Sequence, residues 1–285
     1  MVRVALSAGT FYLIVDPGSH VVSPFAVTFV VCGLITVAVF VLLWIVGTAR
    51  RDVSLVDLYW GLGFAVVAWS AVALNRPAAW RAAMLATLTT VWGVRLAVHL
   101  TRRNWGHGED RRYAAMRTQH GAAFVWVSLG TVFLLQAAIL WFVSLPLQVA
   151  AAARVPTSFG LFDGLGLTLW TIGFLFETIG DWQLVRFQAD PRNRGQVLDR
   201  GLWRYTRHPN YFGDACVWWG LYLVAAAGGA GWTVASSLVM TILLLHVSGV
   251  ALLERTIAER RPEYAAYRAR TNAFFPGPPK RDVGR

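Results

Sequence analysis

The chain has a single lysine, Lys280, only two cysteines, and few charges of either sign: 14% of its 285 residues are Asp, Glu, Lys or Arg. Cys32 and Cys216 lie within apolar runs with no CxxC or zinc-ligand spacing, so neither a disulfide framework nor a metal site is supported. There is no Walker loop and no HExxH. The GLG triplets at 61–63 and 164–166 fall inside apolar runs instead of strand-to-helix turns, which excludes a Rossmann dinucleotide fold. Acids are scarcer than bases, giving a formal charge of +11, but the surplus arginines sit between or just beyond apolar runs. With no basic aromatic platform or groove-reading module, nucleic acid is excluded as a partner. No second soluble domain, long linker or obvious repeat is visible.

What is abundant is apolar surface: 56% of residues are hydrophobic and the mean hydropathy is +0.50, too oily for a soluble domain of this size. Runs long enough to cross a bilayer, about 20 residues each, lie near 25–47, 54–74, 80–101, 122–144, 159–186, 210–228 and 232–257. The predicted fold is therefore an all-α, polytopic bundle of seven transmembrane helices. Its parts are a short apolar segment over 1–24, a membrane domain over 25–258 and an amphipathic cytoplasmic tail over 259–285. The opening apolar stretch, closed by Asp16-Pro17-Gly18, is too short to cross and is expected to lie at the membrane interface as a helix. Arginine asymmetry orients the bundle. Arg50, Arg51, Arg102, Arg103, Arg192, Arg194 and their neighbours fall on one side, against Arg3, Arg76, Arg81 and Arg154 on the other, so the N-terminus is outside and the C-terminus cytoplasmic.

An ionisable residue within a span is costly and by default marks a site. Arg95, His99, Arg102 and Arg103 share one helical face in "WGVRLAVHLTRRNWGHGED", a ladder of donors suited to phosphate or carboxylate, or else partly a topological signal. Glu177 and Asp181 share a face with Gly173. Two carboxylates one turn apart repel unless a cation or a hydroxyl-rich ligand lies between them, so they read either as a structural ion pair with Arg95 or as acceptors for ribose hydroxyls. In "SLVDLYWGLGF", Asp57 and Tyr59 could polarise a carbonyl, or Asp57 could pair with Arg50 or Arg51; Gly61 and Gly63 admit a close helix or a flat ligand. Glu254 reads as an ion-pair partner or site residue at the cytoplasmic end of the last span, and His246 as a core histidine. In "RGLWRYTRHPNYFGD", Arg200 and Arg204 read as topological and Arg207, His208, Asn210 and Tyr211 as ligand-facing. Pro209 is placed to open a helix and aim its first amides at a ligand.

The segments "DLYWGLGF", "WGVRLAVHLTRRNWGHGEDRRY", "RGLWRYTRHPNYFG" and "LLERTIAERRPEYAAYRARTNAFFP" resemble the steroid 5-alpha-reductase-like membrane family, in the bacterial branch described as a domain of unknown function (DUF1295). The resemblance runs from about residue 50 to 276. The RHPNYFG segment with its downstream Glu and tyrosines is also similar to isoprenylcysteine carboxyl methyltransferases and phospholipid methyltransferases, which use S-adenosylmethionine. The reductase resemblance implies a multi-pass protein of the bacterial cytoplasmic membrane that uses NADPH to reduce an enone or other unsaturated lipid entering from the bilayer. It places Arg95, Glu177, Asp181, Arg207, His208, Asn210 and Tyr211 at the cofactor; Arg103 and Glu254 are added to this set from their positions at the span ends, and, since the family's Gln-Glu pair has no clear match here, Asp57 and Tyr59 are the catalytic candidates by position only. Trp92 stands where the steroid enzymes carry tyrosine, so the implied substrate is a branched, unsaturated or isoprenoid lipid. The alternatives are an S-adenosylmethionine-dependent methyltransferase and a non-enzymatic membrane protein.

Overall fold

Ser23 and Pro24 start the first long helix: the serine side chain accepts a hydrogen bond from the Ala26 amide at 3.1 Å, and proline occupies the first helical position, where its missing N–H breaks no bond. The computed structural model describes residues 2–7, 10–15, 20–21, 23–76, 79–106, 108–153, 158–247 and 263–280. They fall into two compact units. One comprises Met1–Gly160 with Val224–Ser236, the other Leu161–Leu223 with Ser237–Arg285.

In the first unit, α1 (Pro24–Arg50), α2 (Leu55–Leu74) and α3 (Trp80–Asn104) are long and apolar. Arg51 closes α1 in the left-handed region, with φ 53. The Asp52 amide returns to the Gly47 carbonyl at 2.9 Å, as in a helix-ending motif that more often uses glycine. The chain continues through α4 (Arg111–His120), α5 (Phe124–Ser128), a π-helical turn Leu129–Leu134, α6 (Leu135–Val143) and α7 (Leu145–Ala152). Helices α2 and α3 meet backbone to backbone, since a Cβ on Gly61 would lie 2.7 Å from the Gly93 carbonyl oxygen. Gly63 makes the same kind of room for Leu140, so both glycines serve helix packing. Tryptophan indoles tie α1 to the later helices: Trp44 donates to the Val125 carbonyl and Trp141 to that of Phe29, each at 2.9 Å.

The N-terminal segment corrects the expectation of an interfacial helix. Val2–Ser7, Thr10–Val15 and His20–Val21 pair as a three-stranded antiparallel ribbon. Its length rules out a crossing helix, but the density of Val, Thr, Ile and aromatic residues favours strand over helix. Everything described beyond residue 23 is helix or connection.

In the second unit, α8 (Leu161–Ala189) packs against α9 (Pro209–Ala225) through glycine. A Cβ on Gly173 would sit 2.5 Å from the Gly213 oxygen, and one on Gly220 would sit 2.7 Å from the Gly166 oxygen. The helical run continues from α9 into residues 224–236, which belong to the first unit, and on through α10 (Val234–Ile242); it breaks at Gly229, whose φ of 90 is open to glycine alone at low cost. Ser237 then donates to the Trp218 carbonyl at 3.2 Å and the Trp219 indole to Thr241 at 3.1 Å, so the two arms run side by side as a hairpin. The tail helix α11 (Tyr264–Arg270) ends the described structure's helices.

Seven crossing helices are expected from the sequence; among the described residues, five helical runs are long and apolar enough: α1, α2, α3, Arg111–Val143 and Pro209–His246. The differences have physical sources. The expected spans at 210–228 and 232–257 lie in a single run interrupted at Gly229, and residues 248–257 fall outside the described residues. Helix α8 has the length, about 43 Å at 1.5 Å per residue, but carries Asp163, Glu177, Asp181 and Arg186. Many large apolar side chains face outward, among them Val30, Leu34 and Leu42 on α1 and Ile172, Leu175 and Ile179 on α8. Exposed apolar faces on helices of this length suggest a multi-pass membrane protein.

Candidate functional site

The second unit gathers most of the residues marked by the sequence. Glu177 and Asp181 both lie on the inner face of α8, only 3% and 5% exposed. Their placement follows from the glycine contact: a Cβ on Gly213 would fall 2.4 Å from the Glu177 amide nitrogen, so the first turns of α9 lie directly on these acids. The Asn210 side-chain amide donates to Asp181 Oδ1 at 3.0 Å, and its Oδ1 accepts the Tyr211 N–H at 3.1 Å. Pro209 opens α9 as expected, with the Phe212 amide returning to the His208 carbonyl at 3.0 Å. The Tyr211 amide is already occupied by Asn210, so it is not aimed at an anion. The rings of His208 and Tyr211 stack at 5.7 Å with 17° between planes.

Arg207 has a different surrounding from the one expected of a phosphate-binding arginine. It is 8% exposed, and its Nη1 donates to the carbonyls of Arg268 at 3.1 Å and Thr271 at 2.6 Å, satisfying the C-terminal end of α11. Its own amide donates to the Asn272 carbonyl at 2.9 Å, and Thr206 donates to that of Phe274 at 2.8 Å. The Tyr267 hydroxyl donates to the Trp203 carbonyl, and Arg270 pairs with Asp199. Sequence reading missed this clamp because none of these partners is within helical reach in the chain; the tyrosine-rich tail motif is its only local signal. Arg200 and Arg204 are exposed. Glu254 lies outside the described residues, and His246 is exposed, not a core histidine.

In the first unit, Asp57 is held from both sides. Its Oδ1 accepts from the Tyr113 hydroxyl and its Oδ2 from Arg112 Nη2, each at 2.8 Å, and Gln136 Nε2 reaches the same Tyr113 oxygen at 3.4 Å. Its cation partner is thus Arg112, not Arg50 or Arg51. Next to it, Asp110 binds Arg112 and caps α4, while Arg117 grips Glu109 with bonds of 2.9 and 2.7 Å. Burial pushes Glu109 and Asp110 up, but Arg117 with the Val53 amide, and Arg112, hold these carboxyls below their ordinary range. Tyr59 is half-buried, its ring edge-on to Phe40 at 5.8 Å. On α3, Arg95 and His99 are half-buried while Arg102 and Arg103 are exposed, so the ladder runs from the packed helix to its rim. Trp92 is fully buried beside Phe64.

Long apolar helices that carry buried acids, amides or arginines in each unit suggest a multi-pass membrane protein. A family model described as "Protein of unknown function (DUF1295)" matches residues 43–271, and the chain belongs to that family. The match runs from the last two turns of α1 through α11 and so includes every candidate residue named above. The chain is also similar to an uncharacterized protein of Schizosaccharomyces pombe, 25% identical over 248 residues, covering 78% of this chain and 68% of the yeast protein. No solved structure matches it.

Proposed function

We propose that this protein is a membrane-embedded, NADPH-dependent reductase of a lipid double bond. In this reading it crosses the membrane seven times, with α8 and the two arms of the Gly229 hairpin among the crossings and the C-terminus in the cytoplasm of a bacterial cell. The observation that carries it is the buried Asp181–Asn210 pair with Glu177 one turn away. A nucleotide needs acceptors for ribose hydroxyls and a two-faced amide for a carboxamide, and this donor set fits both. The carboxylates only accept, while Asn210 retains a second N–H and a second lone pair beyond the bonds it makes here.

When bound, NADPH supplies a hydride. The protein's share is to hold the nicotinamide half through Asn210 and the two acids, with the His208–Tyr211 stack as an aromatic wall. The apolar helices keep water from the reacting atoms. In the first unit, taken by itself, Asp57 accepts from Tyr113 and Arg112, and Asp57 and Tyr59 are read as the groups able to polarise a lipid carbonyl. Arg95 and Arg103, in the first unit, are read separately as guanidiniums able to bind a phosphate.

Thermal shift of the detergent-purified protein tests this reading. NADPH is expected to raise the melting temperature, S-adenosylmethionine is not, and Asp181→Ala is expected to abolish the shift; Arg95→Ala tests the phosphate reading separately. Stabilisation by S-adenosylmethionine alone would assign a lipid or prenyl-cysteine methyltransferase instead. Stabilisation by neither would remove the enzymatic reading.

A further inference from the structure

A cleft of about 640 Å³ lies at the end of α8, apart from the buried face that carries Glu177 and Asp181. Its back wall is preformed. Gln183 Oε1 accepts the Leu202 amide at 3.0 Å and Asn193 Nδ2 donates to the Phe187 carbonyl at 2.9 Å, fastening the 193–202 segment to the helix. Gly201, with φ 62, admits Gln183 where a Cβ would come within 2.4 Å of its Nε2. Two guanidiniums line the space, each stacked on a ring: Arg186 over Trp182 at 5.1 Å and Arg200 over Phe187 at 5.7 Å. Stacking occupies the flat face of a guanidinium and leaves its N–H edge directed away. The acid lining the cleft, Asp190, is bound by Arg192 through bonds of 2.8 and 3.0 Å and also feels the charge of Arg200, so three guanidiniums, those of Arg186, Arg192 and Arg200, surround one carboxylate and the cleft keeps a positive excess.

The position of the cleft along α8 identifies what fills it. Ile172, Leu175, Ile179 and Trp182 are exposed at alternating steps of three and four residues, which makes an outward apolar stripe. Trp182 and then Val185 close that stripe, with the tryptophan placed as at a membrane boundary, and Arg186 lies about 6 Å beyond Trp182 along the axis. With α8 crossing the membrane, as in the reading proposed above on which this inference rests, that is headgroup depth, and the cleft is open to it. We propose that this cleft binds the phosphate of an anionic phospholipid from the adjoining leaflet, with Arg186 and Arg200 as the phosphate donors and Trp182 against the glycerol and upper acyl chain.

The test is lipid retention by the full-length protein, measured by native mass spectrometry after exchange into detergent containing phosphatidylglycerol or phosphatidylcholine. Wild type is expected to retain phosphatidylglycerol selectively, and R186Q/R200Q to bind it about tenfold more weakly. R111Q/R204Q removes the same charge from exposed positions outside the cleft and is expected to match wild type. Equal retention by wild type and R186Q/R200Q would overturn the proposal, and so would an equal loss in the control variant. Inorganic phosphate and glycerol 3-phosphate are added as competitors; if either displaces the lipid at millimolar concentration, the site is for a free phosphate and the lipid assignment falls. If NADPH displaces it through Arg186 and Arg200, the cleft belongs to a nucleotide and the proposal fails as well. Absence of any NADPH binding would overturn the reductase reading and leave the lipid result standing.

Discussion

Asn210, in the first turn of α9, donates its side-chain amide to the Asp181 carboxylate of α8 at 3.0 Å, joining two helices across a stretch of 29 residues. Both the candidate site and the packing of α8 on α9 converge on this bond. Removing the donor leaves a carboxylate that is 5% exposed short of a partner, so Asn210→Ala is expected to lower stability by about 1–3 kcal/mol. Thermal unfolding of Asn210→Ala, Asp181→Ala and the double variant checks this. The two single losses should sum to more than the loss in the double variant, and strict additivity would show that the pair does not interact.

Glycine placement makes a second prediction. Gly173→Ala puts a methyl group against the Gly213 oxygen and the Val217 nitrogen, backbone atoms that cannot turn aside. It is expected to destabilise the protein by roughly 1–3 kcal/mol through overpacking. Gly130→Ala meets nothing within 4 Å and should be neutral or stabilising by a few tenths of a kcal/mol up to about 1. Melting curves of the two variants, measured side by side, should show a clear drop for Gly173→Ala and none for Gly130→Ala.

Arg207→Lys keeps the charge but loses the planar donor that spans two carbonyls. The tail over 264–277 is then expected to take up deuterium at least tenfold faster, while α2 and α3 exchange as in wild type. Unchanged exchange in the tail would mean that the clamp is held by Thr206 and Tyr267 alone.

Acid should loosen the connection between α3 and α4. Glu109 and Asp110 are held below their ordinary values of 4.5 and 3.8. A carboxylate with a depressed folded pKa contributes stability above its unfolded value and loses it as pH falls through the folded one. Thermal stability should therefore decline as pH drops below about 4.5, and Glu109→Gln should be less stable near neutrality with a flatter acid limb. Parallel curves for variant and wild type would rule out this source of the pH dependence.

Much of this architecture is legible from spacing. The apolar runs locate α1 to α3 closely, Pro209 marks the start of α9, and the four-residue interval between Glu177 and Asp181 places both acids on one buried face. Periodicity describes a helix from the inside and says nothing of its partner. Asp57 could be matched from sequence only with nearby Arg50 or Arg51, whereas its actual donors, Arg112 and Tyr113, come from a helix 55 and 56 residues on. Gly229 is hidden for another reason: one glycine among small residues gives no period to read, and only its backbone angle shows where the chain turns back. The N-terminal ribbon shows the limit of length, which excludes a crossing helix but does not choose between a helix and a hairpin at the surface.

The clamp at Arg207 also sets an order in time. The guanidinium is buried by carbonyls that lie 61 and 64 residues later in the chain. At roughly 5–20 residues per second, the ribosome delivers those carbonyls several seconds after α9 has begun to leave it. Until then the RHPN corner has no cover on that side, whatever the state of the helices around it. The packing around Arg207 is thus completed only after its own helix has been made, and arrest of translation before residue 268 would leave that guanidinium without the two carbonyls that bury it.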